Sequence, residues 1–235
     1  AAIAGPKSRD MLSKLYPDLD VSNEALPFMG YKEAEFFGVP SRIFRISFSG
    51  ELAYEINVKS DHGMFMWEKM MEVGKEFGNQ PYGTEALSTL RIEMGHVAGP
   101  ELDGRTIPSD VSLNGLVSKK KDFIGKNSLG REAFNVESRQ KIVGLIPIDR
   151  KSSIPEGSHI VQDQNAKLPN PKLGHVSSSC WSVENNNPFS LAIMKDGKKM
   201  IGKKFFAVSP LKNKSIEVEV ISSHYVDPEG KRVRS

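Results

Sequence analysis

The sequence predicts an α+β protein in which a mixed helix-and-strand region is followed by a small antiparallel β-barrel. Two observations support this division. In the first region, strands of period two alternate with helices whose apolar residues recur every three or four positions. From Arg139 onward, short apolar runs are separated by turns at nearly regular spacing, without a helical period. We therefore expect one domain over residues 1–136 and a second over residues 137–235.

The segment Arg42–Val58 has the most informative pattern of the first region. Apolar and polar residues alternate on both sides of a glycine-containing turn, which predicts a β-hairpin. A three-residue loop keeps one face apolar, with the cross-strand pairs Phe48 with Leu52, Ile46 with Tyr54, and Phe44 with Ile56. The same register places Arg45 opposite Glu55 on the other face.

Other elements are expected around this hairpin, because apolar residues recur at helical spacing next to prolines and glycines. We expect a strand over residues 1–4 and helices that begin near Pro6, Asp61, Glu85 and Asn127. The last of these helices should end near Phe134. The buried stripe of the third helix is expected to be Leu87, Leu90 and Met94.

The run from His96 to Val117 is polar, rich in glycine and proline, and long for a loop without regular structure. Loops of this length usually carry function or pack over a site. The adjacent residues Lys119, Lys120 and Lys121 are interpreted as a solvated surface rather than as a phosphate-binding patch.

Six short strands are expected in the second region, where turn residues separate apolar runs. Their number and spacing are typical of a small barrel or sandwich. The predicted strands are Ile142–Ile148, His159–Val161, Gly174–Ser178, Phe189–Met194, Lys204–Val208 and Ile216–Ile221.

The composition argues against several functional classes. The net charge is only +3 and the basic residues are scattered among acids, so we expect no nucleic-acid partner. A single cysteine, Cys180, rules out an internal disulfide framework and fits a reducing compartment, so we expect a cytoplasmic location. No apolar run approaches the length that a membrane span needs. The chain does not begin with Met, and we interpret it as processed or truncated.

Few residues carry recognisable chemistry. The sequence contains neither a glycine-rich phosphate loop nor cysteines and histidines at zinc-finger spacing, and its five histidines are dispersed, so we expect no metal site. Glu55 is the most interesting acid. A carboxylate on a rigid strand can accept two N–H donors from a planar heterocycle. Alternatively, it forms a cross-strand ion pair with Arg45, which would contribute roughly 0.2–1 kcal/mol.

The motif Arg45-x-x-Phe48-Ser49-Gly50-Glu51-x-x-Tyr54-Glu55-Ile56 resembles the signature of the tetrahydrofolate-dependent aminomethyltransferase family, typified by the glycine cleavage T-protein. Two further segments, residues 4–8 and 83–93, are similar to the same family. The resemblance implies that Glu55 holds the pterin ring of folate and that Phe48 lines the pocket. With Tyr54 and Arg45, which would orient Glu55, these residues form the predicted folate-binding set.

Several segments resemble one branch of this family, the C-terminal part of heterotetrameric sarcosine oxidase α subunits. They are residues 82–87, 122–126, 174–178 and 225–232. The glycine cleavage branch usually has an arginine where Leu87 stands, so we do not expect that folate contact here. The branch linked to iron–sulfur proteins carries a cysteine after the third helix, and residues 96–110 contain none.

This resemblance implies one-carbon transfer from a sarcosine-derived iminium to tetrahydrofolate, which gives 5,10-methylenetetrahydrofolate and glycine. The family's catalytic aspartate precedes a segment like Ala1–Pro6, so we expect no catalytic residue within this chain. FAD, FMN and NAD are expected only in the rest of the enzyme, and the other oxidase subunits are expected partners. Two alternatives stay open, a stand-alone aminomethyltransferase and a non-catalytic scaffold for subunit assembly.

Overall fold

The computed structural model describes residues 1–136, 138–165 and 171–235. It confirms the predicted fold class, because a mixed helix-and-sheet region precedes a closed six-stranded antiparallel barrel. Contacts between residues divide the chain into two compact units, residues 1–91 with 227–235, and residues 92–226. The domain boundary expected between residues 136 and 137 remains a prediction, and residue 137 lies outside the described residues.

Strands and helices follow one another in this order along the chain. The strands are β1 Ala2–Ala4, β2 Tyr31–Phe36, β3 Val39–Phe44, β4 Ala53–Val58, β5 Gln140–Pro147, β6 His159–Val161, β7 Gly174–Ser182, β8 Asn187–Lys195, β9 Lys204–Ser209 and β10 Lys214–Ile221. The helices are α1 Ser8–Leu15, α2 Gly63–Gly74, α3 Thr84–Glu93, α4 Lys126–Leu129 and α5 Lys231–Arg234.

The first unit contains an antiparallel sheet with the strand order β1-β4-β3-β2. One face of this sheet supplies fully buried residues to an apolar core, and α1 and α2 cover that core. Side chains alternate between the faces of a strand, so Tyr54 and Ile56 of β4 reach the core while Glu55 points to the other face. The methionines Met66 and Met70 of α2 pack in the core, as the helical spacing predicts.

The hairpin register differs from the expected one. Ile43 pairs with Ile56 and Phe44 pairs with Glu55, and residues 45–52 form the connection between β3 and β4. The predicted three-residue loop and the predicted pairing of Arg45 with Glu55 are therefore wrong. Arg45 instead follows Ile43 on the buried side, because acceptors that lie far away in the sequence satisfy its guanidinium there.

Two helices also differ from the prediction. In α3 the buried residues are Arg91, Ile92 and Glu93, whereas Leu87, Leu90 and Met94 are only half-buried. The expected helix near residues 127–134 is split into α4 and a separate 3-10 turn. Gly130 favours a break there, and the side-chain amide of Asn135 donates to the carbonyl oxygens of Leu129 and Arg131 on either side of it.

The second unit contains the barrel, with the strand order β10-β5-β8-β7-β6-β9 and closure between β9 and β10. All six predicted strands are confirmed. The interior is filled by side chains that are almost fully buried, mainly from Val, Leu, Ile and Phe residues. A shift of register between Val176 and Ser178 bends β7 against β8.

The long segment 96–117 is anchored within the second unit by two buried carboxylates. It contains three short 3-10 turns, Gly99–Glu101, Pro108–Val111 and Asn114–Leu116. Glu101 accepts hydrogen bonds from the hydroxyl of Ser178, 2.6 Å away, and from the N–H of Ala98, 2.9 Å away. These contacts order the segment, whereas the expectation that it carries function or packs over a site stays a prediction.

Asp110 is the second of these carboxylates. Nε and a terminal nitrogen of Arg139 both donate to it, with Nε 3.0 Å away, and Nζ of Lys141 lies 3.2 Å away. The N–H of Ile107 also donates to it. Burial alone would raise the pKa of Asp110, but these hydrogen bonds outweigh it and hold the pKa below its ordinary value.

Replacing Asp110 with Asn should therefore destabilise the protein. Two cations lose a buried partner, so we expect the free energy of unfolding to fall by about 3 kcal/mol at pH 7. A carboxyl with a lowered folded-state pKa contributes its full stability only above its unfolded-state value of about 3.9. The difference between Asp110→Asn and the natural protein should therefore shrink as the pH falls below that value.

Urea denaturation at pH 7 and at pH 3 measures this difference. Asp103→Asn is the matched control, because the ion pair of Asp103 with Arg105 is open to solvent and should contribute far less. Equal losses for the two variants, or a pH-independent loss for Asp110→Asn, would contradict the role given to Asp110.

Gly174 provides a second test of the barrel. A Cβ added to it would lie 2.2 Å from the carbonyl oxygen of Ile193 and 2.8 Å from Cα of Met194 on the neighbouring strand. Backbone cannot move aside cheaply, so Gly174→Ala should lower the free energy of unfolding by about 1–3 kcal/mol. Gly104→Ala, where a Cβ meets nothing within 4 Å, should be nearly neutral in the same denaturation experiment. Similar stability of both variants would contradict this packing.

Candidate functional site

The predicted site residues occupy two different faces of the sheet in the first unit. Tyr54 is fully buried in the core below the sheet, and Arg45 lies on the same side. Glu55 is half-buried on the opposite face. Phe48 is exposed on the connection between β3 and β4. The structure thus separates Glu55 from Tyr54 and Arg45, which the sequence placed in one set.

A row of four residues crosses the sheet at the level of Glu55. Register pairs join Ala2 to Glu55, Glu55 to Phe44, and Phe44 to Tyr31. The rings of Tyr31 and Phe44 are stacked, with centroids 5.8 Å apart and planes inclined by 25°. Tyr31 is 63% exposed, so this aromatic pair is accessible from solvent. The row places a carboxylate beside a flat aromatic surface.

The side chain of Glu55 makes no hydrogen bond or ion pair to any other residue in the described parts of the chain. An ionised carboxylate has two oxygens and accepts hydrogen bonds only. Both oxygens of Glu55 are thus available to donors that come from outside these residues. A planar molecule with two parallel N–H groups matches this acceptor, and its ring could stack on the aromatic pair.

The connection 45–52 that precedes β4 is folded by its own serines. The hydroxyl of Ser47 accepts the N–H of Gly50, 3.0 Å away, and Gly50 has a φ of 88° that favours glycine. At its end, the carbonyl oxygen of Leu52 accepts the hydroxyl of Ser8 and the N–H of Gly5. The exposed ring of Phe48 is therefore carried by an ordered loop.

Arg45 is held in the interior of the first unit. Its terminal nitrogens donate to Oδ1 of Asn23 at 2.5 Å, to the carbonyl oxygen of Leu26 at 3.0 Å and to that of Ser235 at 2.7 Å. Burial is the main reason why the pKa of Arg45 is lowered, and it also raises the pKa of Tyr54. In the described residues, Nε of Arg45 and the hydroxyl of Tyr54 are buried without a partner. These contacts hold Arg45 on the core side of the sheet, whereas Glu55 lies on the other face.

Among the described residues, two clefts of the first unit have linings that do not include Glu55. One, of about 580 Å³, is lined by residues 1–8, by Trp67 and Met70 of α2, and by residues 77–84 and Leu87. The other, of about 650 Å³, includes Arg42 and Asn57, which lie on the same sheet face as Glu55 but farther along the strands. The half-buried side chain of Glu55 thus belongs to neither of these clefts.

Neither a metal site nor a membrane-spanning helix is found among the described residues. No group of three or more His, Cys, Asp or Glu side chains there is placed to hold a metal ion. None of the described helices is long and apolar enough to cross a membrane. The lysines at 119–121 are exposed, in agreement with their interpretation as a solvated surface.

Sequence reasoning missed Tyr31 and assigned Phe44 to the wrong face. Residues 18–40 contain many turn formers, which hid the alternation of β2 in Tyr31–Phe36. The available signal was a run in which Glu33 and Glu35 alternate with the apolar residues Ala34 and Phe36. Read as an edge strand, that run would have predicted a partner for β3.

The known proteins similar to this chain include sarcosine oxidase alpha subunits and aminomethyltransferases. Sarcosine oxidase subunit alpha from Corynebacterium sp. (strain P-1) is 40% identical, and the match covers 98% of this chain and 24% of the relative. The same subunit from Rhizobium meliloti (strain 1021) is 38% identical over 99% of this chain and 24% of the relative. Aminomethyltransferase from Thermoanaerobacter sp. (strain X514) is 31% identical over 95% of this chain and 58% of the relative. The chain spans about a quarter of the length of these oxidase subunits.

The fold is also shared with a solved structure. The crystal structure of glycine cleavage system aminomethyltransferase T from Bartonella henselae has a TM-score of 0.78 to this chain at 24% identity, over 97% of this chain and 59% of that one. The GCVT N-terminal domain family matches residues 1–121, and the glycine cleavage T-protein C-terminal barrel domain matches residues 140–227. The chain therefore belongs to the glycine cleavage T-protein family, as its motif predicts.

Proposed function

We propose that this chain supplies one wall of a tetrahydrofolate site in an enzyme of sarcosine oxidation. The observation that supports this most directly is the carboxylate of Glu55, which makes no hydrogen bond or ion pair within the described residues and lies beside the stacked rings of Tyr31 and Phe44. The proposal also draws on the similarity to sarcosine oxidase alpha subunits over nearly the whole chain. The product of the transfer would be 5,10-methylenetetrahydrofolate, with glycine released.

Glu55 would orient the pterin ring. Its two oxygens accept the ring N–H and the neighbouring amino N–H, and such charge-assisted pairs are strong and directional. β4 is the right carrier for this acceptor, because it is paired on both sides, with β1 and with β3. A carboxylate on such a strand keeps its direction while a ligand binds.

The other residues of the predicted set would act from different positions. Phe48 is exposed on the loop before β4 and would line the edge of the pocket. Tyr54 and Arg45 would support β4 and this loop from the core side, since both are buried there. Tyr31 and Phe44 join the set as the aromatic surface next to Glu55.

Tetrahydrofolate supplies the nitrogen that takes up the one-carbon unit. The residues of this chain would bind and orient folate, and the catalytic acid would come from elsewhere in the natural protein. In the same proposal, a flavin in the rest of the enzyme oxidises sarcosine to an iminium, and FAD, FMN and NAD all bind in that other part. The other oxidase subunits are partners, and the location is cytoplasmic.

A stand-alone aminomethyltransferase is the second candidate function. It is favoured by the identity of 31% to the enzyme from Thermoanaerobacter sp. (strain X514), of which this chain covers 58%. The two functions differ in the donor of the one-carbon unit. Activity of the natural-length protein with free sarcosine supports the oxidase function, and activity that requires a protein-bound aminomethyl donor supports the transferase.

Replacing Glu55 with Gln should weaken folate binding, because the amide loses the negative charge and one of its two acceptors becomes a donor. A hydrogen bond to a charged group contributes about 1.5–3 kcal/mol, so we expect the Kd for folinic acid to rise roughly tenfold or more. Isothermal titration calorimetry on the natural-length protein measures this change.

Glu35→Gln is the matched control. Glu35 is an exposed carboxylate on β2 of the same sheet, and its loss should leave the Kd unchanged. An unchanged Kd for Glu55→Gln would remove Glu55 from the site, and absence of folinic acid binding by the natural protein would refute the folate function as a whole.

A further inference from the structure

The end of the chain returns to the first unit after the barrel. Residues 227–235, which we call the tail, group with residues 1–91 and contain α5. Within this unit, the tail contacts the connection 45–52, which leads directly into β4. This connection carries Phe48 and precedes Glu55, so contacts made to it affect both proposed folate residues.

One of these contacts is an ion pair at the end of the connection. A terminal nitrogen of Arg232 lies 2.8 Å from Oε1 of Glu51. The side chains of Glu51 and Arg232 are 26% and 38% exposed, so water screens their interaction less than it screens a pair on an open surface.

Further contacts fix the tail near the beginning of the connection. The carbonyl oxygen of Ser235 accepts a hydrogen bond from Arg45 and another from Arg9, both at 2.7 Å. The guanidinium of Arg234 lies 5.4 Å from the centroid of the Phe28 ring. The tail therefore reaches both ends of the connection, at Arg45 and at Glu51.

The side chain of Asp227 orders the backbone of the tail at the position of Arg232. The carboxylate oxygens of Asp227 accept the N–H of Lys231 at 2.9 Å and the N–H of Arg232 at 2.8 Å. These bonds fix the direction in which the Arg232 side chain leaves the backbone. An arginine held in this way loses less conformational entropy when it pairs.

We propose that the tail is a positioning element for the folate site, and that Arg232 acts through Glu51 to hold the connection 45–52 and thereby Phe48 and Glu55. Arg232 and Glu51 are positioning residues, because neither belongs to the proposed binding surface. The inference rests on the proposed folate function for its consequence, but the contact between the tail and the connection exists without a ligand.

Hydrogen–deuterium exchange on the ligand-free, natural-length protein tests that contact. In Arg232→Gln and in Glu51→Gln, we expect amides of residues 45–52 to exchange about three- to tenfold faster, which is the effect of losing roughly one kcal/mol of local stability. The double variant should add nothing to either single variant. Lys231→Gln is the matched control, because the side chain of Lys231 forms an exposed ion pair with Glu229 rather than a contact with the connection, and it should leave these rates unchanged.

Calorimetry with folinic acid tests the consequence for binding. The Kd should rise about three- to tenfold in Arg232→Gln and in Glu51→Gln. The charge reversal Glu51→Arg combined with Arg232→Glu should restore most of the affinity that each single reversal loses. A general loss of stability would not be rescued in this way, and thermal unfolding of the same variants measures any such loss.

Unchanged exchange in residues 45–52 of Arg232→Gln overturns the inference. Faster exchange with an unchanged Kd, when Glu55→Gln does weaken binding, also overturns it, because the connection then moves without consequence for folate. Where the natural protein does not bind folinic acid at all, the proposed function fails, and with it the positioning role, whereas the exchange rates still show whether the tail holds the connection.

Discussion

Burial of the Arg45 guanidinium is the constraint on which the arrangement of the first unit depends. A buried cation has to be satisfied by hydrogen bonds, and Arg45 finds its acceptors at Asn23, Leu26 and Ser235. β3 therefore ends at Phe44, with Ile43 and Arg45 on the core side. Because the strand is fixed in this sense, Phe44 faces outward and pairs with Glu55.

This register decides what surrounds Glu55. A shift by one residue would move Phe44 into the core and Arg45 to the outer face, where it would neutralise the carboxylate. In the observed register, Glu55 keeps both oxygens available and gains an aromatic neighbour that is stacked on Tyr31. The same burial that holds Arg45 on the core side thus leaves the carboxylate of Glu55 on the outer face of the sheet.

The sequence predicts the fold class, the barrel strands and the family, because these depend on local patterns. Apolar alternation between Ile142 and Ile221 is interrupted at each turn, so every strand could be located. Register could not be predicted in the same way, since Phe44, Ile46 and Phe48 alternate as well as the true core residues do. The register depends on hydrogen-bond acceptors of Arg45 that are distant in sequence, and a local pattern cannot show them. Tyr31 was missed for a related reason, because turn formers flank its short edge strand.

The tail also affects the order in which the protein can be completed during synthesis. Glu51 and Arg232 are separated by 181 positions, and the whole barrel is translated between them. At about 5–20 residues per second, a ribosome needs roughly ten to forty seconds to cover that distance. During this time the sheet of the first unit exists without Arg232 and without the Ser235 acceptor for Arg45. Until Ser235 has been made, Arg45 lacks one of its three acceptors, and the first unit can become fully native only after the barrel has been made.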